Sequence, residues 1–211
     1  FRVVTTRGKG PLARFAIERT PDHLAFLEPW FGTPYPYPKL DFVAVPSFSS
    51  SAMENVGLVT YRDAVLLIDP VNAPLDDRLR GESIISHELA HMWFGNLVTL
   101  AWWDDLWLNE AFAVWMARKA VKALAPDLDP VESVARNKMS VMGADSRPAA
   151  RAIREPIVDE GDVYNAFDGI TYSKGAAVLE MVEQWIGEEA FRGGVRSYLD
   201  EHAHGVAATA D

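Results

Sequence analysis

The sequence contains no cysteine, so disulfide bonds and thiolate metal ligands are both excluded, while the compartment stays undetermined. It also has no apolar run close to the roughly 20 residues that a membrane-spanning helix needs. Phe1 to Thr6 include no initiator methionine and lack the basic-then-apolar layout of a secretion signal, so we expect a strand cut from a longer chain. We find no internal repeat and no low-complexity segment.

The composition is that of a globular protein with an acidic surface. Of 211 residues, 49% are hydrophobic and 24% charged, which is enough for a sizeable core. Thirty acidic residues against 20 basic ones give a formal net charge of -10. This balance argues against a nucleic-acid partner and suits cationic ligands, although such a charge also serves solubility alone.

Hydrophobic periodicity predicts a small sheet first and helices afterwards, which is the α+β class. Thr20 to Asp22, with a central proline, predict either a kink or the start of a second helix. We expect a sheet-containing lobe over about 1–95, a mainly helical lobe over about 96–211, and mostly loop over 143–168. The predicted strands are 1–6, 40–45, 56–61 and 64–68, and the predicted helices 12–31, 76–94, 104–124, 130–142, 169–186 and 188–204.

An HEXXH motif, His87 to His91, lies inside one of these helical patterns. Two histidines four residues apart lie on one face of a helix, so both imidazoles can point at one metal ion. Glu88 lies near the same face, where its carboxylate can reach a metal-bound water. The motif alone occurs by chance, and a lone buried histidine is usually a hydrogen-bonded core residue.

A catalytic zinc site needs a third protein ligand and an open position for water. Glu110 supplies a candidate, nineteen residues after His91 on the next predicted helix, if the intervening loop folds back. Two histidines, one glutamate and a water form a known catalytic zinc set. The sequence therefore predicts one zinc ion per chain, bound by His87, His91 and Glu110.

Three motifs together resemble the gluzincin aminopeptidases of the aminopeptidase N kind. The first is HEXXH followed at the family's spacing by Glu110 in WLNEAFA. About thirty residues upstream of HEXXH stands SAMEN, which is similar to the family's GAMEN substrate motif, and ITYSKGA around Tyr172 resembles its catalytic-tyrosine segment. The resemblance runs from about Pro11 to about His204.

The resemblance implies a thermolysin-like catalytic domain with its zinc site between the two lobes. It implies that Glu88 is the general base, that Tyr172 stabilises the oxyanion and that Glu54 binds the free α-amine of a peptide substrate. The backbone of the SAMEN segment would hold the substrate main chain in strand fashion. The substrate-binding residues implied in this way are Ser51, Ala52, Met53, Glu54 and Asn55.

Two family glycines are replaced here, the first motif glycine by Ser51 and the glycine after the zinc glutamate by Ala111. If position 51 requires positive φ or a close backbone approach, serine is unfavourable there, whereas we expect the Ala111 change to matter little. Family members also carry a β-rich domain before this one and a helical domain after it. We expect both domains to belong to the full-length protein and to be absent from these 211 residues.

The expected function is hydrolysis of the N-terminal peptide bond of peptides by metal-activated water. One alternative is a thermolysin-like endopeptidase or dual hydrolase that uses the same site. Another is a zinc-stabilised interaction domain without turnover, although Glu88 argues against it because a structural site needs no general base.

Other residue types carry weaker predictions. His23, His202 and His204 are expected at the surface or in caps, and the seven tryptophans mainly in the core. Asp104 or Asp105 could orient a zinc-ligand histidine, but acids at a helix start are more often caps. Without the family, Tyr172 and Glu54 would be interpreted as a packing residue and a solvated loop acid.

Overall fold

The computed structural model describes residues 1–128 and 130–211. Among the described residues, four of the six short strands lie in the first third of the chain and most of the helices follow, so the predicted α+β class is confirmed. The strands are β1 (Arg2–Val4), β2 (Asp41–Val45), β3 (Ala52–Met53), β4 (Val59–Arg62), β5 (Val98–Leu100) and β6 (Gly205–Ala207). The helices are α1 (Arg14–Phe31), α2 (Asp63–Leu66), α3 (Leu75–Ala90), α4 (Leu106–Leu124), α5 (Pro130–Asp145), α6 (Glu160–Ala166), α7 (Gly175–Ile186) and α8 (Glu188–Glu201).

The chain forms two compact units, of which the first comprises residues 1–92 and 117–130. Its sheet has the strand order β1-β2-β4-β3, with β1, β2 and β4 parallel and β3 antiparallel to β4, so the predicted small mixed sheet is confirmed. Phe42 and Tyr61 are fully buried on neighbouring strands, and their ring centroids lie 4.8 Å apart. In the same unit, α3 packs against the C-terminal end of α4 and the turn after it through a cluster of Leu79, Val121, Ala125 and Leu128.

Helix α1 runs unbroken through Pro21, so the alternative of a second helix starting there is wrong. Proline removes one backbone donor from the helix, but neighbouring contacts hold the turn. The hydroxyl of Thr20 donates to the carbonyl of Ala16 at 2.7 Å, and buried Leu27 and Phe31 anchor the remaining turns. Tertiary packing therefore outweighs the local preference of proline.

The second unit comprises residues 93–116 and 131–211. Strands β5 and β6 pair in parallel, with Val98 opposite Gly205. Its core includes aromatic stacking of Phe94 on Phe112, whose centroids are 4.4 Å apart, and an edge contact between Trp115 and Phe191. Among the residues that the structure describes, no helix has the length and apolar character needed to cross a membrane.

Some predicted elements are wrong. Residues 64–68 were expected as a strand, but the chain forms the helical turn α2, in which Val65 and Leu66 are buried. A short apolar run does not distinguish a buried strand from a buried helical turn. Residues 143–168 are mostly irregular, as expected, but they also include the short helix α6, which starts with a capping box between Asp159 and Asp162. Strand β6 near the end of the chain was also missed.

Candidate metal centre and active site

The last turn of α3 positions the two histidines of the HEXXH motif. His87 lies within α3 and His91 caps its C-terminal end, with the His91 N–H donating to the His87 carbonyl at 3.2 Å. The imidazole centroids are 4.5 Å apart at an interplanar angle of 87°, and the two Nε2 atoms are 3.0 Å apart. Both rings therefore turn the same nitrogen toward one point, as the spacing predicts.

The Glu110 carboxylate lies close to these two histidine nitrogens. One carboxylate oxygen of Glu110 and one nitrogen from each of His87 and His91 all lie within 4.8 Å of one another. Bond lengths of 2.0–2.2 Å in a tetrahedral zinc site place neighbouring ligand atoms roughly 3.3 Å apart, which is close to the observed Nε2 separation. The donor set and the spacing of its two histidine nitrogens therefore fit a divalent metal ion.

A tight turn after α3 is packed against the residue that precedes Glu110. Gly95 has φ +116°, and a Cβ built on it would lie 2.8 Å from the side-chain nitrogen of Asn109. Any side chain at position 95 would therefore be strained and would collide with Asn109. The stacking of Phe94 on Phe112 holds the same turn against α4.

Glu88 is 3% exposed on α3, between the two histidines in sequence. Tyr61 on β4 interacts electrostatically with Glu88. Burial, the Glu88 carboxylate and Tyr35 together raise the pKa of Tyr61 well above its ordinary value. The Tyr61 hydroxyl has no hydrogen-bond partner among the described residues. Sequence reasoning gave Tyr61 no role, because only the tertiary fold brings β4 to α3.

Glu54 follows the edge strand β3 and lies beside one of the histidines. Its Oε1 atom is 4.0 Å from Nδ1 of His91, and its side chain is 16% exposed. Nδ1 is on the opposite side of the ring from the Nε2 atom that faces His87. The edge strand β3 therefore places a carboxylate beside one of the metal-ligand candidates, and the substrate-binding role of Glu54 stays a prediction.

The rest of the SAMEN segment forms β3 and its ends. Ala52 pairs with Tyr61 and Met53 with Thr60, and the Asn55 amide donates to the Thr60 hydroxyl at 3.2 Å. β3 lies at the end of the four-stranded order, so one backbone edge is not paired with a described strand. An edge of this kind can receive an extended peptide.

Ser51 does not have the strained backbone that would make its side chain unfavourable. Among the described residues, the non-glycine residues with positive φ are Ser47 and His204. The carbonyl of Ser51 accepts the N–H of Arg62 at 2.8 Å, which extends the pairing of β3 with β4. Serine in place of the family glycine at position 51 is therefore not strained by a left-handed backbone conformation.

Tyr172 lies in the middle of a π-helical turn, Ile170–Lys174, directly before α7. Single π turns inside helices are rare and are often found at functional sites. The N–H of Tyr172 donates to the carbonyl of Asp168 at 3.1 Å, and its ring lies 6.5 Å from that of Phe167. The catalytic role of Tyr172 stays a prediction.

Asp104 and Asp105, directly before α4, both accept hydrogen bonds from one arginine. Arg154 donates to Asp105 at 2.7 Å and to Asp104 at 2.6 Å, and the Thr209 hydroxyl donates to Asp105 as well. Burial alone would raise the pKa of Asp105, but the bonds from Arg154 and Thr209 outweigh it, so the pKa lies below its usual range.

Two predictions about exposure need correction. His23, expected at the surface, is fully buried and contacts Oε2 of Glu82 through Nε2 at 2.7 Å. Trp102 and Trp103 are 57% and 39% exposed and do not belong to the core. They line an open cleft of about 540 Å³ together with apolar and acidic residues, including Ile157, Val158, Asp159, Glu160, Val163, Tyr164 and Phe167.

Comparison with known proteins agrees with this geometry. Residues 15–211 match the model of the peptidase family M1 domain. The chain is 43% identical to "Aminopeptidase 2" of Candida albicans over 212 residues, covering 100% of this chain and 23% of that protein. It is 43% identical to "Alanine/arginine aminopeptidase" of Saccharomyces cerevisiae, with 100% and 25% covered, and 40% identical to "Leucyl aminopeptidase" of Saccharolobus solfataricus, with 99% and 27% covered.

The chain thus spans about a quarter of the length of these curated relatives. The family match covers most of the chain and includes the HEXXH motif, Glu110 and the segment around Tyr172. The predicted resemblance is confirmed at this level, and the chain belongs to peptidase family M1.

Proposed function

We propose that this chain is the catalytic domain of a zinc-dependent aminopeptidase, which hydrolyses the N-terminal peptide bond of peptides with a free amino group. The observation that carries the proposal is the grouping of His87, His91 and Glu110 within 4.8 Å, with Glu88 on the same helix as the histidines. The aminopeptidase names of the relatives support the same reaction.

Each residue of the metal group has a role that its chemistry permits. His87, His91 and Glu110 would hold one zinc ion per chain through two nitrogens and one oxygen. When bound, zinc polarises the scissile carbonyl and makes an attacking water more acidic. Glu88 would accept the proton of that water and deliver it to the leaving amine.

The other proposed groups bind the substrate and the charge that develops on it. The Tyr172 hydroxyl would donate a hydrogen bond to the oxyanion, a contact whose loss typically lowers turnover by about 10²–10³. Glu54 would pair with the substrate ammonium, since its carboxylate lies beside His91 at the metal group. The free edge of β3 would align the peptide main chain.

The proposal is tested with a chromogenic amino-acid amide and its N-acetylated twin, assayed with the full-length, zinc-loaded protein. We expect cleavage of the free amine only. Equal cleavage of both would reject the aminopeptidase reaction and favour an endopeptidase that uses the same residues.

The base is tested by Glu88→Gln, which should keep bound zinc and lower turnover by roughly 10²–10⁴-fold. Asp77→Asn, at the exposed start of the same helix, is the matched control and should leave turnover unchanged. Metal analysis of both variants separates loss of chemistry from loss of metal. Full activity in Glu88→Gln would remove Glu88 from the mechanism.

A further inference from the structure

A single guanidinium organises the segment that leads into Tyr172. Arg151 donates through Nε and Nη2 to both carboxylate oxygens of Asp168, which is the two-pronged geometry that arginine prefers with carboxylates. Nη2 also donates to the hydroxyl of Thr171 at 2.6 Å and to the carbonyl of Ala166 at 3.0 Å. The Arg151 side chain is 17% exposed and that of Asp168 is 41% exposed, so these bonds are partly shielded from water.

Asp168, which is bound by Arg151, is in turn hydrogen-bonded to the backbone of the π turn. One of its carboxylate oxygens accepts the N–H groups of Ile170 at 2.8 Å and Thr171 at 3.2 Å, and its carbonyl accepts the N–H of Tyr172. Burial alone would raise the pKa of Asp168, but the bonds from Arg151 and from these backbone groups lower it below its usual range. The carboxylate is therefore charged at neutral pH and caps the turn.

We infer that Arg151 is a positioning residue for Tyr172: through Asp168 and Thr171 it holds the π turn in the conformation that aims the phenol. The inference rests on the proposed function, in which Tyr172 contacts the oxyanion. A π turn replaces the i→i+4 hydrogen bonds of a regular helix with i→i+5 bonds and is rare, so contacts from outside help to hold its geometry. Arg151 provides them at three successive points, the end of α6, the capping carboxylate and the buried hydroxyl of Thr171.

The contact network explains why arginine is needed at this position. A lysine ammonium carries the same charge but lacks the planar fork, so it cannot reach both oxygens of Asp168 and the Thr171 hydroxyl together. Arg151→Lys should therefore restore only part of what Arg151→Ala removes. Arg147→Ala changes the same charge at an exposed site in the same segment and serves as the control.

The test is a double-mutant cycle between Arg151 and Tyr172 in the full-length, zinc-loaded protein. Misplacing the phenol should weaken binding of the transition state and not of the substrate. We expect Arg151→Ala to lower kcat by about 10- to 100-fold with little change in KM and unchanged zinc content, since small displacements of a catalytic group have effects of this size. In a Tyr172→Phe background, Arg151→Ala should change kcat by less than about twofold, because the hydroxyl that it positions is already gone.

The outcomes distinguish this inference from the proposed function. If Tyr172→Phe retains full turnover, the proposed role of Tyr172 fails. If Tyr172→Phe is slow but Arg151→Ala lowers kcat equally in both backgrounds, or if Arg147→Ala has the same effect, the positioning role is overturned. Should Arg151→Ala not fold, Asp168→Asn replaces it in the cycle, because it keeps an oxygen that can cap the turn and removes the charge that binds Arg151.

Discussion

Nε2 of His23 lies 2.7 Å from Oε2 of Glu82, and both side chains are almost completely buried. The other carboxylate oxygen of Glu82 accepts from Nε of Arg19, whose Nη2 also reaches the carbonyl of Leu124. Glu82 is on α3, five residues before His87, so this network fastens α1 and the end of α4 to the helix that carries the histidines. A buried carboxylate of this kind is a point at which the helix can be loosened without touching the metal group.

Removing that carboxylate should cost stability. Glu82→Ala leaves buried His23 and part of Arg19 without their acceptor, for which we expect a loss of roughly 3 kcal/mol in the free energy of unfolding. Urea denaturation measures it. Glu18→Ala is the control, because its ion pair with Arg14 is exposed and should contribute far less to the free energy of unfolding. Equal losses in the two variants would contradict a structural role for the buried network.

The same carboxylate should make stability fall in acid. Burial would raise the pKa of Glu82, but the bonds from His23 and Arg19 outweigh it, so its pKa is lower in the folded than in the unfolded protein. A group of this sign contributes its stability above its unfolded pKa of about 4.3 and loses it as pH falls through the folded value. Urea denaturation at pH 7 and below pH 4 measures this effect. The difference in the free energy of unfolding between wild type and Glu82→Gln should become smaller at the lower pH. A difference that widens there would refute the sign of the shift.

Gly175 and Ala111 make a close contact that the sequence did not reveal. A Cβ at position 175 would lie 2.6 Å from the Cβ of Ala111. Gly175→Ala should therefore push the start of α7 from α4 and destabilise the protein by about 1–3 kcal/mol. Adding Ala111→Gly should remove the clash and recover part of that loss, less the roughly 1 kcal/mol that glycine costs within a helix.

Thermal unfolding of the two single variants and the double variant measures this coupling. Gly194→Ala in α8 is the control, because nothing lies within 4 Å of the added methyl group, and it should be neutral or slightly stabilising. Simple additivity of Gly175→Ala and Ala111→Gly would mean that the two positions do not press on each other. The expectation that the replacement of the family glycine by Ala111 matters little stays a prediction.

What the sequence predicted well depends on local spacing. The i, i+4 spacing of His87 and His91 and the helical pattern around Glu110 require only regular helices, and the structure has both. The capping box of α6 was also readable in the sequence, since Asp159 and Asp162 have the required spacing, but the charged segment around it suggested a loop.

The features that were missed depend on contacts between distant residues. The burial of His23 is set by Glu82, 59 residues away, and the environment of Glu88 includes Tyr61 from another element. The network of Arg151 joins groups up to twenty residues apart through a turn with no periodic signal. No local pattern encodes such contacts, so they follow only from the fold.

Glu54 gives the sharpest test of substrate class. Its carboxylate lies 4.0 Å from His91 at the metal group, where it can pair with a substrate ammonium. A charged, partly desolvated pair is worth more than a surface one, so Glu54→Gln should lower kcat/KM for a free amino-acid amide by roughly 10- to 100-fold. Any residual cleavage of the N-acetylated twin should be unchanged, because that substrate has no ammonium for Glu54 to bind. If Glu54→Gln slowed both substrates equally while zinc content fell, Glu54 would be supporting His91 and the metal, and selection for a free N-terminus would have to come from another group.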